Sequence, residues 1–174
     1  MIITVSGLIG SGKSTLAREI SKKYGLRYIS AGEIMRQMAS QRRMSLLEFS
    51  KYAEKNPEID KEIDEKQVAL AKKGKCVVDS RLAAYFIPNP SLKIWLKAPF
   101  EIRVKRIAKR DSISIEKAKK EVLERERSEK ERYRRFYNID LEDLNFYDLI
   151  IDTGKFAKDE TQKIAFSAID SLLE

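Results

Sequence analysis

The run Gly7-Leu8-Ile9-Gly10-Ser11-Gly12-Lys13-Ser14 matches G-x-x-x-x-G-K-[ST] at every fixed position. These residue types suit polyphosphate binding. Glycines let the backbone curl so that successive N–H groups point inward at phosphate oxygens. The ammonium of Lys13 is placed to reach β- and γ-phosphates, and the Ser14 hydroxyl to sit on Mg²⁺. The context agrees: the apolar stretch Ile2-Ile3-Thr4-Val5 precedes the run, and the helical pattern Thr15-Leu16-Ala17-Arg18-Glu19-Ile20 follows it. Strand, loop and helix in that order make a phosphate loop. A helix starting near Ser14 adds the positive end of its dipole. Residues Gly7 to Thr15 are therefore expected to hold a nucleoside triphosphate.

Further candidates fall where other strands should end, the edge at which open parallel sheets bind ligands. Ser30-Ala31-Gly32 follows the second strand candidate, with Arg36 in the first turns of the next helix. Arg36 is placed to reach an acceptor phosphate; the plainer reading is a Ser30 N-cap and a solvated arginine. Val77-Val78-Asp79-Ser80-Arg81 ends the third strand candidate. Asp79 sits like the acidic residue that holds Mg²⁺ through water, or it is an ordinary turn aspartate. Arg103, Arg106 and Arg110 share one helical face, as do Arg125, Glu129 and Arg132. Clustered guanidinium groups can neutralise a transferring phosphoryl group; a solvated helix of alternating charge is the competing explanation. The chain has no histidine. Chemistry must then come from Lys, Arg, Asp, Glu, backbone amides and a bound metal.

These residues need a frame. Strand candidates at 2–5, 27–29, 75–78, 92–96 and 148–151 alternate with helical patterns at 14–24, 32–39, 45–54, 57–73, 99–109, 115–136 and 159–172. Such alternation predicts an α/β domain, a parallel sheet with helices on both faces. Ser45-Leu46-Leu47-Glu48 reads as a capping box. Asn56-Pro57 reads as an N-cap before a first-turn proline, and Gly74 as a helix stop. The 30–74 segment is longer than one crossover requires, and a second insertion spans about 109–138. Two mobile lobes of this kind suit an enzyme that closes over two substrates and excludes water.

At 174 residues the chain is expected to form one domain. Its 35 basic and 27 acidic residues give a net charge of +8. That charge suits either a nucleic-acid surface or a site for anionic nucleotides. Basic residues interleave with acidic ones and form no tail, which favours the second. Abundant Lys and Glu resemble a surface dense in ion pairs, as in thermophile proteins. The single cysteine, Cys76, lies in an apolar run and is expected to be buried. No apolar run approaches a membrane span. The first strand candidate starts at Ile2, so no secretory leader is expected. A cytoplasmic protein is the expectation.

The chain resembles the cytidylate kinases, in particular their short archaeal form. The resemblance rests on the phosphate loop, on Ser30-Ala31-Gly32-Glu33-Ile34-Met35-Arg36, and on Phe49-Ser50-Lys51-Tyr52-Ala53-Glu54 with Asn56-Pro57-Glu58-Ile59-Asp60. It continues through Asp79-Ser80-Arg81-Leu82-Ala83, Lys93-Ile94-Trp95-Leu96-Lys97-Ala98-Pro99 and Arg125-Glu126-Arg127-Ser128-Glu129 with Arg132-Tyr133. It implies the P-loop nucleoside-monophosphate kinase fold, a five-stranded parallel sheet in order 2-3-1-4-5. Residues 1–174 would form one kinase domain, with a helical acceptor-binding insert at 40–73 and a lid at 109–138. It implies transfer from ATP to CMP, and to dCMP, with Mg²⁺ on Ser14 and, through water, Asp79. Lys13, Arg81, Arg125 and Arg132 would be catalytic. Ser30, Gly32, Arg36, Asp79, Arg81, Glu129 and Arg132 would hold the acceptor, with Glu129 matching a position that accepts from the cytosine amino group. A monomer with no membrane and no stable nucleic-acid partner is implied. Bacterial members carry Gly-Arg-Asp where this chain has Ser80-Arg81-Leu82. Asp60, Asp64 and Gln67 share one polar face, which either reads the base or is the wet side of an amphipathic helix. Other acceptors (UMP, AMP, shikimate, dephospho-coenzyme A) and an RNA-associated ATPase remain the alternatives.

Overall fold

The computed structural model describes residues 1–173. Five strands form one parallel sheet in the order β2-β3-β1-β4-β5. They are β1 (Ile2–Gly7), β2 (Arg27–Ser30), β3 (Cys76–Asp79), β4 (Leu92–Lys97) and β5 (Leu149–Asp152). The helices are α1 (Lys13–Tyr24), α2 (Ala31–Gln41), α3 (Leu46–Glu54), α4 (Glu58–Ala71), α5 (Ala83–Phe86), α6 (Phe100–Asp111), α7 (Ile115–Tyr137) and α8 (Lys158–Asp170). Every predicted strand is present. From central β1 the chain crosses to β2 at one edge, returns to β3 beside β1, and then passes to β4 and β5 on the other side. The order reverses at β1, so a crevice opens beyond its carboxyl end.

Side-chain alternation along the strands explains why both faces are covered. Ile3, Val5, Val77, Ile94 and Leu96 pack against Leu16, Ala17 and Ile20 of α1 and Ala165 and Ile169 of α8. Cys76 and Val78 point the other way, towards Ala71, Ala83 and Ile87. Cys76 is indeed buried. Helices α2, α3 and α4 enclose a small core of their own around Met38, Phe49, Ile59 and Ile63.

Local signals account for most boundaries. Ser45 and Glu48 form the expected capping box at α3. Asn56 does not cap α4: its side chain donates to Tyr52 O at 2.7 Å, closing the end of α3, and Pro57 takes the cap position. The single turn of α5 had no periodic pattern to reveal it. The 109–138 segment is mostly one continuous helix, α7, of 23 residues, in agreement with the helical pattern at 115–136. The polar face of α4 is not its wet side. Asp60 and Gln67 are buried, and Asp64 accepts from Tyr137 OH at 2.9 Å.

Candidate active site

The phosphate loop links β1 to α1 at the crevice. Gly7 has φ 149°, and a Cβ there would meet Leu96 O at 2.3 Å. Gly10 has φ 79°, and a Cβ there would meet Arg103 O at 2.7 Å. Both positions combine a positive φ with close backbone approach, which glycine alone tolerates. Ile9, Gly10, Gly12, Lys13, Ser14 and Thr15 face a cleft of about 470 Å³. Gly7, Leu8 and Ser11 shape the loop from behind.

Lys13 is buried and donates to Leu8 O at 3.0 Å. Burial, reinforced by the positive charges of Arg81 and Arg125 and opposed by Asp79 and Glu129, lowers its ammonium pKa to about 7. Such a group gains strongly from nearby phosphate charge. Ser14 donates to Asp79 Oδ2 at 2.5 Å, and Tyr28 OH donates to the same oxygen at 2.8 Å. A hydroxyl and a carboxylate side by side are hard oxygen donors that fit Mg²⁺. Among the described residues no three or more acidic, His or Cys side chains group to hold a metal. An ion here would draw its remaining ligands from phosphate and water, the usual manner of Mg²⁺.

The same cleft is lined by Gly32, Arg36, Arg81, Arg110 and Arg125. Ser30 is the N-cap of α2, accepting from Glu33 N at 3.2 Å, and does not line the cleft. Arg81 pairs with Glu129. Burial opposes ionisation of Glu129, but the guanidinium groups of Arg81, Arg125 and Arg132 outweigh it and hold its carboxyl below the usual range. Glu129 thus answers an arginine and is not presented to a ligand. Arg125 is different. It carries no carboxylate partner among the ion pairs of the described residues, and its buried Nε has no hydrogen-bond partner. Burial and the charges of Arg81 and Arg110 depress its pKa, with Glu129 opposing.

Arg132 lies outside the cleft, 2% exposed. Its Nε donates to Asp60 Oδ2 at 2.7 Å and Nη1 to Ser128 Oγ at 2.6 Å. With its donors engaged, this arginine ties α7 to α4; the expectation that it meets phosphate directly does not fit this geometry.

The three arginines of α6 divide their work. Arg110 lines the cleft and pairs with Asp111. Arg106 donates to Gly10 O at 3.2 Å and Thr153 O at 2.6 Å. Arg103 is buried against the loop. Thr153, which also donates to Ser11 O at 2.8 Å, was not anticipated, although its place just past β5 could have pointed to it. Phe156 and Lys158 line the same cleft with no local motif to mark them.

A phosphate loop at a sheet switch point, sharing one cleft with an unpaired arginine, defines a P-loop phosphotransferase. The fold is shared with shikimate kinase from Acinetobacter baumannii, at a TM-score of 0.59 and 15% identity over 98% of this chain and 93% of that one. The cytidylate kinase of Pyrococcus abyssi is 50% identical over 100% of this chain and 96% of its own length. That of Methanocaldococcus jannaschii is 51% identical over 99% of each. Residues 2–155 match the model of the cytidylate kinase-like family. The chain belongs to the cytidylate kinase-like family.

Proposed function

We propose that this protein transfers the γ-phosphate of ATP to CMP, and to dCMP, giving ADP and CDP or dCDP. One observation carries the transfer reading. A single cleft is lined both by the phosphate loop and by Arg36, Arg81 and Arg125, so two phosphorylated ligands can meet in it. The choice of CMP follows from relatives about half identical over their full length.

The loop amides and Lys13 hold the donor phosphates. Ser14, and Asp79 through water, would hold Mg²⁺, which would neutralise developing phosphate charge. Arg36 and Arg81 fix the acceptor phosphate. Its attacking oxygen is already ionised at pH 7, so no general base is required, which suits a chain without histidine. Arg125 enters without a carboxylate to release and stabilises charge spread over the transferring group. Transfer is in-line and direct. The insert at 40–73 serves the acceptor and the 109–138 segment covers the phosphates. Lys51–Glu124 at 3.5 Å and Arg127–Glu54 at 3.6 Å link α3 to α7.

The test is coupled ADP release with ATP and Mg²⁺, adding CMP, dCMP, UMP, AMP, GMP or RNA singly. Stimulation by CMP and dCMP, with CDP or dCDP as product, is expected. Stimulation by another monophosphate overturns the base assignment. Stimulation by RNA alone overturns the acceptor site.

A further inference from the structure

Arg103 is a buried guanidinium that faces no cleft. Its Nη1 donates to Ile9 O at 2.9 Å and its Nε to Ala98 O at 3.0 Å. The same Nη1 pairs with Glu126 of α7. The loop also rests on the backbone here, since Gly10 packs directly on Arg103. Ile9 reaches past it into a cluster with Val104, Ile107, Ala118 and Val122. One nitrogen of this arginine therefore touches both the crown of the phosphate loop and α7. Glu126 is the residue next to Arg125, the unpaired arginine of the cleft. Turning α7 or sliding it along its axis would break the Arg103 pair and displace Arg125 together.

We propose that the Arg103–Glu126 pair is a positioning link for phosphoryl transfer, which fixes the register of α7 against the phosphate loop and so sets Arg125 relative to the donor phosphates. Neither residue lines the cleft. A carboxylate is required because only a charged acceptor both orients the guanidinium and satisfies it in a half-dry setting. The pair links parts distant in sequence, its members 23 positions apart. Misplacement of a catalytic group by about 1 Å can cost on the order of 10²-fold in rate, so a small slip of α7 is enough to matter.

This inference rests on the kinase reading above, and the test separates the two. Wild type, Glu126→Gln, Arg125→Ala and the double variant are assayed with ATP and CMP, and their melting temperatures recorded. Glutamine keeps the shape and an acceptor oxygen, so Glu126→Gln is expected to fold. Its kcat is expected to fall about 10- to 100-fold, with KM for each nucleotide within about threefold. Arg125→Ala is expected to lose on the order of 10³-fold, and the double variant no more than Arg125→Ala alone. Such non-additivity marks one residue acting through another, an outcome a general loss of stability does not produce. Additive losses, or an unchanged Glu126→Gln, overturn the link. If Glu126→Gln melts near the assay temperature, Arg103→Lys replaces it in the same cycle: it keeps the charge and loses the fork, and the same two outcomes decide. A wild type that ignores CMP defeats the kinase reading itself, whatever the variants do.

Discussion

The two walls of the cleft are built from different material. The donor wall is backbone: a glycine loop held by β1, α1 and α6, with Lys13 buried beside it. The acceptor wall is long side chains from α2, α7 and the end of β3, of which Arg81 is already engaged with a carboxylate and is backed by a buried Arg132–Asp60 pair outside the cleft. Backbone sites are set by folding and change little on binding. A side-chain site in which Arg81 pairs with Glu129 must exchange one anion for another when phosphate arrives. The donor wall is thus a fixed seat, and the acceptor wall a charge network whose members compete for partners.

The largest effect should fall on the fixed seat. Lys13→Ala is expected to lower kcat by on the order of 10³-fold or more, with the melting temperature of the nucleotide-free protein unchanged or raised. A buried ammonium with a depressed pKa costs folding free energy, so its removal does not destabilise. A fall in melting temperature would make Lys13 a structural member and erase the contrast.

Next comes the network. Asp60→Ala leaves Arg132 buried and unpaired, which costs about 3–5 kcal/mol. For a chain of this size a melting shift of about 10 °C follows. Lys51→Ala removes an ion pair with its lysine 57% exposed and should shift stability by under about 1 kcal/mol. Comparable shifts in the two variants would show that burial does not grade this network.

These two walls were not equally legible in the sequence. The donor wall lies within nine consecutive residues, and residue type, spacing and flanking pattern all point one way. The parallel sheet was legible for a similar reason: each strand is a short apolar run with its own punctuation. The acceptor wall depends on pairs far apart, 48 positions for Arg81 with Glu129 and 72 for Arg132 with Asp60. Helical spacing does put Arg125, Glu129 and Arg132 on one face. It cannot say that α4 and β3 supply partners for the last two and leave the first without one. Asp60 reads as a solvated acid for the same reason, because its polar partner is invisible locally. Asn56 and α5 show the shorter-range limit, where a one-turn helix or a closing amide leaves no periodic trace.

Arg81→Ala sharpens the division at the level of substrate. Loss of one charge-assisted contact to a buried anion costs about 2–5 kcal/mol. The KM for CMP should rise on the order of 10²-fold while that for ATP moves little. Steady-state kinetics with each nucleotide varied in turn decides it. Equal rises would place Arg81 between the two phosphates and remove the boundary between the walls.

The smallest effect tests whether the network extends below the cleft. Burial, helped by Asp60 and opposed by hydrogen bonds from Tyr137 and Gln67, pushes the Asp64 carboxyl up to about 7 from an ordinary 3.8. Between about pH 4 and 7 the folded chain keeps this proton and the unfolded chain does not. Stability then falls as pH rises through that window, the reverse of an aspartate held by a salt bridge. Asparagine is neutral throughout and still accepts from Tyr137. The Asp64→Asn variant should melt above the parent by a smaller margin at pH 5 than at pH 8, the margin growing by a few degrees between them. Thermal melts at the two values measure the difference. A difference that stays flat from pH 5 to 8 would mean that Asp64 ionises freely, and the coupled acids of α4 would end at Asp60.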